Sequence, residues 1–140
     1  MYCYATGAVS SFSSGSKLSY SGGLVGHNSK DRGKIGFISD SYAIGNVSST
    51  STSYSSGGLV GLNEGSIVNC YYNFETSGQY DDDGRGEPKS TVQMKLQATF
   101  AGWSFNKKNN IWGINANKNN GYPYLQLRES ITKSTTGKTK

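Results

Sequence analysis

Short stretches of alternating apolar and small or polar residues, separated by glycines, run along much of the chain and predict many short β-strands joined by tight turns. Residues 3–9 show the alternation clearly, because a strand places successive side chains on opposite faces. One face of this predicted strand carries Cys3, Ala5, Gly7 and Val9, and the other carries Tyr4, Thr6 and Ala8. The small side chains of the first face suit a narrow interior.

Two sequence elements recur in turn. The pentapeptide Gly-Gly-Leu-Val-Gly occupies residues 22–26 and 57–61, and an asparagine, Asn28 or Asn63, follows each copy at the same offset. The second element reads Cys-Tyr-Ala-Thr-Gly-Ala-Val at residues 3–9, Ser-Tyr-Ala-Ile-Gly-Asn-Val at 41–47 and, in a reduced form, Cys-Tyr-Tyr-Asn at 70–73. Elements that alternate along a chain predict stacked units rather than one compact core.

We therefore predict a mainly β fold, a right-handed parallel β-solenoid in which equivalent residues of successive turns stack about 4.8 Å apart. Cys3, Ser41 and Cys70 occupy one column of this arrangement. The two cysteines would lie roughly 9.6 Å apart, too far for a disulfide, so we expect both to be free and buried. If the fold were a compact sandwich instead, this spacing argument against a disulfide would not apply. The adjacent column, Tyr4, Tyr42 and Tyr71, would form an exposed or half-exposed ladder.

Unequal spacing between repeats locates an insertion. Leu24 precedes Tyr42 by 18 residues, whereas Leu59 precedes Tyr71 by 12, which leaves six extra residues in the charged loop around residues 30–34. Insertions of this kind map to one edge of a repeat array. In each Leu-Val pair we expect one side chain to point inward, without the sequence indicating which, and the flanking glycines fit positive-φ corners or close contacts between turns.

The last part of the chain reads as a closing segment. Ser90 and Gln93 form a predicted capping box for a helix over residues 91–98, with Val92, Leu96 and Phe100 on one face. We expect an aromatic end cap on the last turn, because that turn exposes unpaired backbone and apolar interior. The cap would consist of Phe100, Trp103, Phe105, Ile111, Trp112, Ile114, Tyr122, Tyr124 and Leu125.

These elements divide the chain into repeats at 1–80, a connector with helix and cap at 81–128, and a disordered polar tail at 129–140. The motifs quoted above resemble the GLUG repeat of large bacterial surface proteins. The resemblance implies a non-catalytic segment of a cell-surface or secreted protein, which acts as an adhesive surface or stalk in cell attachment. An alternative is an accessory domain of a large surface hydrolase or peptidase that binds substrate or carbohydrate. The expected partners are cell-surface glycans or proteins of host or neighbouring cells.

The aromatic residues are the candidate binding residues. Tyr4, Tyr42 and Tyr71 would either cover the flank of the solenoid or present flat rings to a sugar, and Trp103 and Trp112 would either fill the cap or line a carbohydrate groove. Packing is the favoured interpretation of all five.

Composition and charge narrow the functional classes. The net charge of +5 comes from the C-terminal part of the chain, where lysines lie in loop-like sequence, so we expect no nucleic-acid site. No apolar run is long enough to span a membrane, and we expect no membrane insertion by this segment. Because the chain begins inside a repeat, we expect it to be part of a longer extracellular or cell-surface protein.

Catalytic chemistry has little basis in the sequence. His27 is the only histidine and stands in no recognised triad motif, so we expect no enzyme activity and no cofactor. Asp81 and Asp83, in an Asp-Asp-Asp-Gly stretch, offer a weak calcium alternative. Adjacent acids do not match the alternating ligand spacing of an EF-hand, and a solvated connector is the favoured interpretation.

Overall fold

The protein is mainly β in the computed structural model, which describes residues 2–14, 18–50, 54–80, 85–105 and 111–126. Its strands are short, as the glycine-punctuated alternation predicts. In chain order they are β1 (Cys3–Ala5), β2 (Val9–Ser11), β3 (Ser19–Gly22), β4 (Val25–Asn28), β5 (Lys30–Asp31), β6 (Lys34–Ile35), β7 (Phe37–Ser39), β8 (Ser41–Ala43), β9 (Val47–Ser49), β10 (Tyr54–Gly57), β11 (Val60–Asn63), β12 (Ser66–Val68), β13 (Tyr71–Asn73), β14 (Glu87–Lys89), β15 (Trp112–Gly113) and β16 (Tyr124–Leu125).

The largest sheet has four parallel strands in the order β1, β8, β13, β14. Tyr4 pairs with Tyr42, and Tyr42 pairs with Tyr71, so the predicted tyrosine column is confirmed. The fourth strand, β14, was not predicted. It contains Pro88, which suits a position at the edge of a sheet because proline has no backbone N–H to donate.

Four further parallel pairs join each strand of the first repeat to its sequence equivalent in the second. These pairs are β2 with β9, β3 with β10, β4 with β11 and β7 with β12. The register follows the repeats, since Gly22 pairs with Gly57 and Val25 with Val60. The first and second repeats therefore lie side by side, in register, along the described strands.

The glycines of the pentapeptide allow a close approach between neighbouring parts of the chain. A Cβ atom on Gly58 would lie 1.9 Å from Cδ2 of Tyr72, and one on Gly23 would lie 2.3 Å from the carbonyl oxygen of Gly58. The glycines with positive φ lie elsewhere in the described chain. Of the two roles predicted for the repeat glycines, close contact is therefore the correct one.

An apolar inner cluster lies between the repeats. Its buried members are Ile38, Ala43, Leu59, Val60, Cys70 and Tyr72. Leu59 and Val60 are both fully buried, and Leu24 and Val25 pack against the cluster while partly buried. The expectation that only one residue of each Leu-Val pair points inward was wrong, because the tight turn at this point brings both side chains into the cluster.

Both cysteines are free, as predicted from their shared column. Cys70 is buried, and its Sγ donates a hydrogen bond to the carbonyl oxygen of Val68. Burial raises the pKa of the Cys70 thiol, which keeps the group protonated. Cys3 is only partly buried, contrary to the prediction, because β1 lies at the edge of its sheet.

The six-residue insertion forms a small exposed hairpin. Strands β5 and β6 pair antiparallel, and the two residues between them, Arg32 and Gly33, have φ angles of 45° and 80°. Positive φ at both central positions is characteristic of a type I′ turn. The two ends of the hairpin lie next to each other, since the amide of Gly36 donates to the carbonyl oxygen of Ser29 at 2.9 Å.

The predicted helix over residues 91–98 is interrupted. The capping box forms, with the Gln93 amide bonded to Ser90 Oγ and the Ser90 amide bonded to Gln93 Oε1. Two 3-10 turns follow, Gln93–Lys95 and Gln97–Thr99, separated by Leu96 in extended conformation. Val92 and Leu96 are exposed, so the predicted apolar face is wrong at both positions and correct only at Phe100.

The structure contains one α-helix in its described ranges, α1 (Phe74–Ser77), which was not predicted. Asn73 caps it by accepting hydrogen bonds from the amides of Glu75 and Thr76, and Gly78 ends it in the left-handed conformation. Beyond this helix, Arg85 donates hydrogen bonds to the carbonyl oxygens of Ser56 and Gly61. Arg85 therefore bridges β10 and β11 of the second repeat.

Candidate functional site

An aromatic outer cluster covers the second face of the four-stranded sheet. Its buried members are Tyr42, Tyr71, Met94, Phe100, Trp103, Trp112 and Tyr122, and Tyr4 packs against them while partly buried. Successive side chains of a strand point to opposite faces, and in β8 Tyr42 belongs to the outer cluster whereas Ala43 belongs to the inner one. The predicted end cap is therefore a lateral cover, because its rings contact the tyrosine column across three neighbouring strands.

Ring contacts within the outer cluster are close. Tyr4 and Tyr42 stack with centroids 5.3 Å apart and planes inclined by 6°. Trp103 and Trp112 stack at 4.3 Å, and Trp112 also approaches Tyr42 at 6.0 Å. These distances lie in or near the range in which aromatic pairs attract each other beyond their simple burial.

Polar atoms at the edge of the cluster are mostly bonded. The Tyr42 hydroxyl donates to the carbonyl oxygen of Pro123 at 2.5 Å and accepts a hydrogen bond from Nδ2 of Asn119 at 2.8 Å. Burial raises the pKa of the Tyr42 phenol, and burial followed by the charge of Glu87 raises the pKa of the Tyr71 phenol. Nε1 of Trp103 donates to the carbonyl of Asn69, while Nε1 of Trp112 has no hydrogen-bond partner among the described residues.

The predicted sugar-binding role requires exposed ring faces, and most of the candidates lack them. Tyr42 and Trp112 are fully buried, and Tyr71 and Trp103 are 5% and 7% exposed. The prediction of an exposed or half-exposed tyrosine ladder is correct only for Tyr4, because the single-copy aromatic segment covers Tyr42 and Tyr71. The favoured packing interpretation therefore agrees with the positions of the buried aromatic residues.

The calcium candidates, Asp81 and Asp83, lie outside the described residues. Within the described part of the chain, no three His, Cys, Asp or Glu side chains are grouped so that they could hold a metal ion.

Polar contacts tie the two repeats together beside the pentapeptide. Nδ2 of Asn28 donates to Oδ1 of Asn63, its sequence equivalent in the second repeat, at 2.7 Å. Nearby, Nε2 of His27 lies 2.7 Å from Oε2 of Glu64, and the imidazole packs against the ring of Tyr20. The only histidine of the chain thus forms a side-chain hydrogen bond with a carboxylate of the neighbouring repeat.

A surface pocket that the sequence analysis missed has a volume of about 340 Å³ and lies beside the outer cluster. It is lined by Lys95, Ile114, Asn115, Ala116, Asn120 and Gly121. Two consecutive lining residues have positive φ, Asn120 at 53° and Gly121 at 86°, and so does the preceding residue, Asn119, at 47°. The Asn-Asn-Gly sequence could have signalled this turn, because these residue types tolerate the left-handed conformation best.

Comparisons with known proteins give one informative match. The chain is 35% identical, over 136 aligned residues, to a protein of Evansella cellulosilytica named "Putative Gly-rich membrane protein". The match covers 92% of this chain and 14% of the relative, so most of the relative lies outside the matched region. No protein-family model matches the chain, and no solved structure matches it. None of the helices in the described ranges is long and apolar enough to cross a membrane.

Proposed function

We propose that this chain is a non-catalytic β-solenoid segment of a bacterial cell-surface or secreted protein, and that it acts as a stalk or adhesive surface in cell attachment. A stiff array of this kind holds whatever it carries at a fixed distance from the cell. Its long lateral faces bind surface glycans or proteins of other cells through many weak contacts, so that attachment depends on avidity.

The observation that carries the proposal is the pairing of sequence-equivalent strands. Five strands of the first repeat pair in parallel with their counterparts in the second, and the register matches the repeat in each pair. Parallel in-register pairing at successive positions is what a solenoid requires, because each turn then contacts mainly its neighbours. The composition of the sequence and the GLUG resemblance support the same architecture.

Two further observations support a surface location. The relative carries a name that refers to a membrane, and it is several times longer than this chain. A repeat segment within a long envelope protein would have room for an anchor and for other domains in the remaining sequence. The segment itself would then lie outside the membrane.

The second candidate function is an accessory domain of a large surface hydrolase or peptidase. The pocket at Lys95 favours it, since accessory domains bind substrate in shallow sites while catalysis takes place in another domain. A catalytic domain elsewhere in the same parent protein would favour this candidate over the stalk.

Repeat duplication tests the solenoid architecture. A second copy of residues 24–58 inserted between Gly58 and Leu59 adds one complete turn if the turns stack. Small-angle X-ray scattering should then show a molecule longer by about 4.8 Å with an unchanged cross-section. Uniform growth in all dimensions, or loss of folding by circular dichroism, would contradict the architecture.

Adhesion is tested separately. Beads that carry the chain at high density should attach to glycan-coated or bacterial surfaces, whereas the same protein in solution should bind weakly, because avidity depends on multivalent display. Beads that carry a heat-unfolded sample are the control. Attachment that does not depend on surface density would contradict the avidity proposal.

A further inference from the structure

The pocket at Lys95 combines one lysine, two exposed asparagine side chains and apolar surface. We propose that it binds a carboxylate-bearing monosaccharide unit, a uronic acid, of an acidic surface polysaccharide. This inference rests on the glycan-binding form of the proposed function and adds a site and a ligand class to it.

Lys95 provides the charge. Its Nζ lies 5.0 Å from the centre of the Tyr122 ring, and a Cβ on Gly121 would be 3.3 Å from its Cδ. Lys95 is exposed to solvent and lines the pocket, and its side chain lies against the buried Tyr122 ring and the Gly121 backbone. No carboxylate of the described residues pairs with it and none lines the pocket, so an anion from solution has no internal competitor. A lysine of this kind binds carboxylates as a point charge.

Hydroxyl groups of a sugar would meet the two amides. Asn115 uses its Oδ1 to accept a hydrogen bond from the Asn117 amide, and its Nδ2 remains available to a ligand. The exposed side chain of Asn120 has no bonded partner among the described residues. Ile114, Ala116 and Gly121 supply apolar surface for the C–H face of a sugar ring. This mixture of a few polar groups with apolar walls is typical of small-molecule sites.

The backbone beside the pocket is fixed by hydrogen bonds to the buried cluster. Asn119 and Asn120 both adopt left-handed conformations, which cost free energy in residues other than glycine. Nδ2 of Asn119 donates to the Tyr42 hydroxyl and to the carbonyl of Pro123, so the buried cluster fixes the turn. The turn positions Asn120 in the pocket wall before any ligand arrives, which lowers the entropic cost of binding.

Size also limits the ligand. A pocket of about 340 Å³ is at the lower end of the range for small-molecule sites, so it accommodates one sugar ring with its substituents rather than an oligosaccharide. Binding of a single ring should be weak, with a dissociation constant on the order of 1–10 mM, and multivalent display would raise the effective affinity.

Nuclear magnetic resonance titration of the full, 15N-labelled chain with methyl glucuronide tests the proposal. Amides of residues 114–116, 120 and 121 should shift in a saturable manner. The uncharged analogue, methyl glucoside, should bind at least about tenfold more weakly, as should the Lys95→Gln variant towards methyl glucuronide. Lys118→Gln is the matched control, because Nζ of Lys118 also lies over a tyrosine ring, at 5.1 Å from Tyr124, but outside the pocket lining. This control should bind within about twofold of the unmodified chain.

Asn120→Gly offers a second variant in which folding is not at risk. Glycine accepts the positive φ of this position, so the variant should be at least as stable as the unmodified chain while it binds methyl glucuronide more weakly. Unchanged binding in both Lys95→Gln and Asn120→Gly would overturn the proposal.

Three other results would also overturn it. The first is the absence of saturable shifts with methyl glucuronide, and the second is equal binding of acetate, which would indicate a general anion site. The third is that methyl glucoside binds as tightly as methyl glucuronide and shifts amides outside residues 114–116, 120 and 121. That result would indicate glycan binding at a different site. None of these results bears on the solenoid architecture, which scattering of the duplicated chain tests independently.

Discussion

Each face of the four-stranded sheet carries a cluster of buried side chains, but the two clusters come from different kinds of sequence. The inner cluster draws on residues that recur from one repeat to the next, with small side chains and glycines in close contact. The outer cluster joins the tyrosine column of the repeats to large rings from a segment that occurs once.

The repeated sequence and the single-copy segment therefore contribute differently to the fold: the first determines the register of strand pairing, and the second adds buried apolar volume. Repeated residues set which residues pair in β1, β8 and β13, because each of these strands pairs with its sequence equivalent. The single-copy segment adds large buried side chains, among them Trp112 and Phe100, and so contributes much of the apolar surface removed from water. We expect changes to the outer cluster to affect stability most, and changes to the repeat outside both clusters to affect it least.

The largest effect is expected from Trp112→Ala. This substitution removes a fully buried indole from the centre of the outer cluster, and it should lower the free energy of unfolding by about 3–5 kcal/mol. Urea denaturation followed by circular dichroism measures the change. Tyr80→Ala is the control, since Tyr80 is 73% exposed and its loss should cost less than about 0.5 kcal/mol. Equal effects of the two substitutions would show that the cover contributes little.

Overpacking of the inner face should have the next largest effect. Gly58→Ala places a methyl group 1.9 Å from a Tyr72 ring carbon, so the ring or the backbone must move, at a cost of about 1–3 kcal/mol. Gly7→Ala is matched to it, because a Cβ at Gly7 meets no atom within 4 Å. We expect that control to be neutral in the same denaturation experiment. A neutral Gly58→Ala would mean that the inner face is loosely packed.

A smaller effect is expected from Tyr42→Phe, which deletes the hydroxyl between Pro123 and Asn119. The carbonyl of Pro123 retains its bond from Asn119, so the loss should be about 1 kcal/mol at neutral pH. Tyr4→Phe, which retains the stacked ring, is the control and should be nearly neutral.

The same variant tests the pH dependence. Because the pKa of Tyr42 is raised by folding, its stabilising contribution is complete below the ordinary tyrosine pKa of about 10 and is lost as the pH rises above that value. The denaturation midpoint of the unmodified chain should therefore fall more steeply above pH ~10 than that of Tyr42→Phe. Some slope should remain in the variant, since the pKa of Tyr71 is also raised. Identical slopes would contradict the assignment of a raised pKa to Tyr42.

Deletion of residues 30–35 should have the smallest effect. Ser29 and Gly36 are already hydrogen-bonded across the base of the hairpin, and the shortened repeat would match the spacing of the second one. Removing a short surface loop changes the closure entropy by less than about 1 kcal/mol. Thermal unfolding of the deletion variant measures this change. A large loss of stability would show that the charged hairpin contacts the array more than its exposed strands indicate.

The register of strand pairing was predictable because equivalent positions of the repeats hold the same types of residue. The Tyr4, Tyr42 and Tyr71 column follows from sequence spacing alone, and the place of the insertion, though not its hairpin structure, follows from the unequal steps between repeats. β14 was not predictable in this way, because Glu87-Pro88-Lys89 shares no residue with Tyr71-Tyr72-Asn73, the segment with which it pairs. Backbone hydrogen bonds between parallel strands do not require similar side chains.

Burial was harder to predict than pairing. The alternation in β8 correctly separates Tyr42 from Ala43, but it does not reveal that a distant segment covers the tyrosine face. The helix prediction failed at Leu96, where an extended backbone interrupts a sequence whose capping box is intact. The pocket at Lys95 was missed because its lining comes from two stretches of the chain that have no periodic relation.

The outer cluster also has a mechanical consequence. The hydrogen bonds between neighbouring strands run across the four-stranded sheet. A force applied in that direction would therefore separate the strands one after another, starting from an edge strand. Trp112 contacts both Tyr4 and Tyr42, and Trp103 contacts both Tyr42 and Tyr71, so separating β1 from β8 also requires parting these rings. The aromatic cover therefore reinforces the pairing of these strands, and a pulling force must separate the ring contacts before β1 can part from β8.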